Sequence, residues 1–245
     1  MTTKAVKIAV CAVALTLLAS IAGQKPAFAA PKVNAIVILV KGSVEVKRAG
    51  AKDFTPIKLN DMLNGGDLVK TGPDGQASLA TKGGAEVRLN ANSSFEIAGS
   101  GRVEQLRLSL GQLWTRMLHK KAKIDVRTPS AVCAVRGTEA DIEQRDLLTV
   151  KVYDGHVNVK NAGGTQALKA GQMSTVSGNN SAPAAPKQMG AGDKGNWQDG
   201  LSKDLKDIQG SMDILTNAAG EKRLLLPIKG ADGKVKNVEI PLKKK

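Results

Sequence analysis

The chain has 245 residues, 42% of them hydrophobic but only 2% aromatic, and 36 Lys and Arg stand against 22 Asp and Glu, a net charge of +14. So few aromatic rings exclude a base-stacking platform for single-stranded nucleic acid and an aromatic-lined sugar cleft. The positive balance draws the chain toward polyanions such as phosphorylated lipids and wall polymers, although most of the lysines are scattered along strand faces rather than clustered.

Residues 1–29 read as a secretory signal peptide. Lys4 and Lys7 precede an apolar run from Ile8 to Ile21, and Ala27-Phe28-Ala29 supplies small residues at a cleavage site. The run is short for a membrane span, so no stable span is expected after cleavage. A cleaved leader removes Lys4, Lys7 and Lys25 and no acidic residue, leaving a net charge of about +11. It also removes Cys11, so Cys133 remains alone and no intramolecular disulfide can form. The chain is expected to be exported, to the periplasm or beyond the cell.

From Val33 to Val176 the hydrophobic period is two. Ala35-Ile36-Val37-Ile38-Leu39-Val40, Val44-Glu45-Val46-Lys47, Ala85-Glu86-Val87-Arg88-Leu89, Val103 to Leu108 and Leu148 to Tyr153 all read as short strands. Turn clusters separate them: Asn64 to Asp67, Gly72 to Gly75, Lys82 to Gly84, Gly99 to Gly101 and Asn161 to Gly164. No helix-length amphipathic run follows any strand, which argues against βαβ crossovers. The fold class is mainly β, a solenoid-like or sandwich-like stack of short strands over residues 32–177.

Within that region Thr128 to Glu143 reads TPSAVCAVRGTEADIE. Small apolar residues on both faces predict a strand buried on both sides, with Cys133 as a small hydrophobe rather than a nucleophile, since no activating partner is near in sequence. Arg136-Gly137-Thr138 reads as a bend, with Gly137 giving backbone freedom and Arg136 placed to bond unpaired carbonyls. Asp154-Gly155 is a two-residue hairpin signal. Histidines 119 and 156 have no second ligand at metal spacing. Asp61, Asp67 and Asp74 sit beside turn glycines and read as turn formers rather than calcium ligands. No metal, cofactor or catalytic constellation is expected.

Beyond Val176 the character changes. Residues 178–193, rich in Pro, Ala, Gly and Asn, read as a flexible linker. Residues 194–245 then read as a helix followed by a basic hairpin and tail. Trp197, Leu201, Leu205, Ile208, Met212 and Leu215 are spaced 4-4-3-4-3, one apolar stripe on an amphipathic helix with Asn196 as N-cap. That stripe either caps the end of the β domain or meets a partner. The segment from Arg223 to Lys245 predicts a hairpin turning at Gly230 to Gly233, with Pro227 and Pro241 confined to edge positions.

The succession Thr128-Pro129, Arg136-Gly137-Thr138, Val150 to Val159 with Gly155, and Ala170-Gly171-Gln172 resembles the signature of the FecR-type domain, and Gly66 to Gly72 resembles its upstream Gly-Asp repeat. The resemblance covers Val33 to Val176. It implies a compact stack of short strands with Arg136, Gly137, Thr138, Asp154, Gly155 and Gly171 as structural motif residues. In founding members this domain is the periplasmic end of a transmembrane anti-sigma regulator. Here, even with the leader retained, only Met1 to Lys7 would lie inside the cell. The resemblance therefore implies an exported β module rather than sigma regulation by this chain alone. The expected function is non-enzymatic binding or scaffolding in the cell envelope. Its partner would be an envelope protein or an anionic polymer, with no specific nucleic acid; a place in a FecR-like signalling system is the further alternative.

Overall fold

The computed structural model describes residues 33–100, 103–118, 122–198, 214–216, 222–229 and 235–242. The strands follow the period-two segments: β1 (Val33–Lys41), β2 (Val44–Lys47), β3 (Thr55–Pro56), β4 (Met62–Asn64), β5 (Leu68–Thr71), β6 (Gln76–Thr81), β7 (Ala85–Leu89), β8 (Ser94–Ser100) and β9 (Glu104–Met117). They continue as β10 (Lys123–Arg127), β11 (Val132–Gln144), β12 (Leu148–Asn161), β13 (Gly164–Lys169), β14 (Gln172–Val176) and β15 (Lys187–Gln188). Inward residues such as Val87, Leu89, Phe95, Ile97, Leu106 and Leu108 are fully buried, alternating along each strand with outward residues.

All fifteen strands belong to one hydrogen-bonded sheet that folds into two layers. In the first layer the order is β15-β14-β12-β11-β9-β7-β6-β1-β4. The second runs β13-β12-β11-β10-β9-β8-β5-β2-β3. Long strands serve both layers. β9 pairs with β8 up to Leu110 and with β7 and β11 from Gly111 onward. β11 pairs with β10 before Gly137 and with β9 after it. A single apolar cluster joins the inner faces, from Val37 and Leu79 in one layer to Phe95 and Val126 in the other. Sandwiches make corners in this way, by strands that bend from one sheet into the next.

The bend in β11 and β12 is a bulge. Arg136 faces His156 and Glu139 faces Asp154, so Gly137 and Thr138 together oppose Gly155. Gly137 has φ +62 and Gly155 φ +69, the left-handed region that side chains with a Cβ rarely adopt. Asp154-Gly155 is therefore not the hairpin turn its sequence predicts. It is a kink inside one continuous strand, because the residues on both sides of it keep the same neighbour, β11. Likewise Gly99 and Ser100, expected in a turn, lie in β8.

Among the described residues every ladder is antiparallel except β9 with β10, which rules against the solenoid form of the expectation, whose coils would stack in parallel. Within the segment expected as a linker, residues 184–189 are bonded to the sheet. Ala184 N–H bonds the Thr175 carbonyl at 2.9 Å, Ser174 Oγ donates to the Ala184 carbonyl at 2.6 Å, and Met189 N–H reaches the Gly171 carbonyl at 2.8 Å. Gly171 (φ +80) turns β13 into β14.

The expected C-terminal helix is not present where the chain is described. Trp197 lies in a turn, and Leu215 lies in a strand, β16 (Ile214–Thr216). Leu201, Leu205, Ile208 and Met212 fall outside the described residues. β17 (Lys222–Lys229) pairs with both β16 and β18 (Val235–Leu242), with Lys229 opposite Val235, so the expected hairpin is present. Pro227 lies past the end of the β16 ladder, where a missing N–H breaks no bond on that side.

Candidate functional site

The outer face of the second layer is a basic surface built from three registered rows. In one, Arg107, Arg127, Val132, Lys160 and Thr165 stand opposite one another across β9, β10, β11, β12 and β13. Two residues along each strand lies a row without basic residues, Gln105, Asp125, Ala134, Asn158 and Ala167. Two residues further come Lys123, Arg136, His156 and Lys169. At 3.3–3.4 Å rise per residue the outer rows are about 13 Å apart. Arg107, Arg127, Lys160, Lys123 and Lys169 are exposed. The small side chains of the middle row leave a groove of about 690 Å³ along Asp125, Ala134, Asn158 and Thr165.

Two carboxylates temper this surface without cancelling it. Asp125 takes a 2.7 Å bond from Arg136, and Glu96 takes one of 2.7 Å from Arg107. Arg136 also donates to the carbonyls of Ile124 and Val135, each at 2.9 Å. It thus spans the bulge with one guanidinium and leaves the neighbouring lysines as the accessible charges. Cys133, one residue from the groove floor, points into the core. Burial pushes its thiol up to about 12, so it has no thiolate to offer. Among the described residues no group of His, Cys, Asp and Glu is placed to hold a metal. Asp61, Asp67 and Asp74 instead accept backbone N–H bonds, Asp67 from Ala49 and Asn64 at 2.9 and 3.0 Å.

The outer face of the first layer carries a different constellation, mostly buried. Ser78, Arg88, Trp114, Asp141 and Lys151 form one registered row across β6, β7, β9, β11 and β12. Glu86 binds Arg88 at 2.6 Å and Arg116 at 2.7 Å, and both guanidiniums lie over the Trp114 ring, at 4.4 and 5.2 Å from its centre. Gln112 donates to both Asp141 oxygens at 3.0 Å. The segment Gly195–Gln198 lies on this face. Trp197 donates its indole N–H to Asp141 at 2.9 Å, and Arg88 donates to the Gln198 carbonyl. Burial lifts the Asp141 carboxyl to about 6, an effect that Trp197, Gln112 and Lys151 reduce and Glu143 adds to.

Residues 67–158 match the family described as FecR protein. The chain carries a FecR domain. No curated protein matches the chain. Two crystal structures of a candidate anti-sigma factor from Parabacteroides distasonis ATCC 8503 are similar to it, each covering 72% of this chain and 85% of that one. One, at 1.65 Å resolution, has 15% identity and a TM-score of 0.48; the other, at 2.50 Å, has 16% and 0.47.

The matched stretch contains the whole Arg-Gly-Thr bulge, the Asp154-Gly155 kink and most of both outer faces of the sheet, but not Gly171 or Trp197. Arg136, Gly137, Thr138, Asp154 and Gly155, expected as structural residues, come together at the corner of β11 and β12. Of the expected helix stripe, only Trp197 reaches the FecR domain within the described residues. Sequence reading missed the Arg88–Glu86–Arg116–Asp141 network, whose alternating charges look the same on a solvated strand face.

Proposed function

We propose that the chain is a non-enzymatic, exported binding module of the cell envelope, acting in FecR-like signalling, that recognises an anionic polymer across its basic sheet face. The carrying observation is the pair of cationic rows about 13 Å apart, flanking small side chains. This geometry suits a linear chain of negative charges better than a compact anion. A polymer lying along the rows meets Arg127 and Lys160 on one side and Lys123 and Lys169 on the other. The buried, un-ionised Cys133 supports the non-enzymatic part of the reading. The FecR match supports the signalling part.

The test is titration of the leader-free chain with fluorescent inorganic polyphosphate at low and high salt. Counterion release predicts a steep loss of affinity with salt. Arg127→Glu with Lys160→Glu should weaken binding at least tenfold. Reversal of Lys52 and Lys58, exposed and away from the groove, should change it less than twofold. Equal effects from both pairs, or salt-independent binding, would overturn the proposal. A salt-resistant envelope protein retained by crosslinked pull-down would favour the second reading, recognition of a protein partner, which the FecR match also supports.

A further inference from the structure

The first-layer network is a preformed site whose contents come from far away in the chain. Arg88 is fully buried and Asp141 is 2% exposed, yet the sheet that carries them satisfies much of their bonding by itself, through Glu86 and Gln112. Gly195–Gln198 adds an indole N–H on Asp141 and a backbone carbonyl on Arg88, the two residues that flank Trp114 in the registered row. The segment is tied internally by a Gln198 side-chain bond to the Gly195 carbonyl at 3.0 Å, while Lys194 and Asn196 face solvent. Its side-chain and backbone bonds to the sheet are polar ones, to Asp141 and Arg88. Segments of this kind open without global unfolding.

We propose that this face is a peptide-binding site, occupied in cis by Gly195–Gln198, and that its ligand in trans is a turn-forming segment of another polypeptide bearing a tryptophan followed by a free backbone carbonyl. Asp141 selects the indole N–H and Arg88 the carbonyl. Trp114, with both guanidiniums over its ring, fixes where Arg88 stands. The internal segment then acts as a competitor, and the apparent affinity for an outside peptide is reduced by the fraction of time the site is closed. This site is separate from the basic groove, so its failure leaves the polymer reading intact.

The probe is a labelled peptide with the chain's own sequence, Asp193 to Gln198, read by fluorescence anisotropy against the full leader-free chain. Trp197→Ala should bind it at least tenfold more tightly than the unsubstituted chain, and adding Asp141→Ala should remove that gain. A folded Trp197→Ala chain that binds no better than the unsubstituted one would overturn the proposal. Native-state hydrogen exchange on the unsubstituted chain provides a second check that needs no variant. Exchange of residues 194–198 while β9 and β11 stay protected supports an opening strap; exchange only with those strands makes the segment a fixed cap and overturns it. A Trp197-dependent dimer would assign the site to a second copy and overturn the heterologous ligand.

Discussion

Glu104 begins β9 beneath the β6–β7 turn and is 3% exposed. Burial raises its carboxyl to about 7, an effect that the Thr81 side chain and the Gly83 backbone only partly offset. Asp141, between Lys151, Glu143, Trp197 and Gln112, rises to about 6 for the same chief reason. Both groups hold a proton more tightly folded than unfolded. Their protonation therefore supports the fold fully below the unfolded values, near pH 4, and that support is lost as pH rises through 6 and 7. A tenfold gain in proton affinity is worth about 1.4 kcal/mol, so each carboxyl contributes on the order of 3 kcal/mol to the difference. The urea midpoint is expected to fall between pH 5 and pH 8, and Glu104→Gln should flatten part of that fall. An unchanged slope in Glu104→Gln would assign the dependence elsewhere. Cys133 gives an independent residue-level check. With a fully buried thiol at about 12, it should resist maleimide in the native chain and react promptly in denaturant.

At the scale of elements, the corner of β11 and β12 rests on Gly137 and Gly155. Gly155→Val should cost more than ~1 kcal/mol, because a β-branched residue must take a positive φ at the bulge. Chemical denaturation measures it; a loss below a few tenths would mean that the kink relaxes. The same residues mark what sequence could and could not convey. Alternation located β2 and β12 well, since a half-buried strand must alternate whatever its neighbours are. Asp154-Gly155 carried the local chemistry of a turn, but a turn and a mid-strand kink demand the same backbone angles, and only pairing with β11 separates them. Residues 178–193 have no periodicity of their own, so composition suggested a linker. What holds them is supplied from outside, by Thr175, Ser174 and Gly171. The stripe at Trp197 followed a helical period, yet Trp197 finds a partner on Asp141 that no spacing rule contains. The basic face was the least legible feature. Arg107, Arg127 and Lys160 are ordinary outward residues in three strands, and only the register makes them a row.

For the whole molecule, that register has a cost. Arg107 and Arg127 are neighbours in the parallel β9–β10 ladder, and like charges side by side on adjacent strands destabilise it. Among the described residues Arg107 alone of the two is relieved, by Glu96. A fold selected for stability alone would place a neutral or acidic residue at 127. Arg127→Glu is therefore expected to raise the thermal midpoint at low salt while weakening polyphosphate binding. Added salt should do the same to the unsubstituted chain, screening the repulsion and the ligand together. The two responses must move in opposite directions. If Arg127→Glu lowers both stability and binding, Arg127 is a structural residue and the basic rows are not a recognition surface. If stability rises and binding falls, the like-charge alignment is maintained against the fold's own interest, as expected of residues kept for binding.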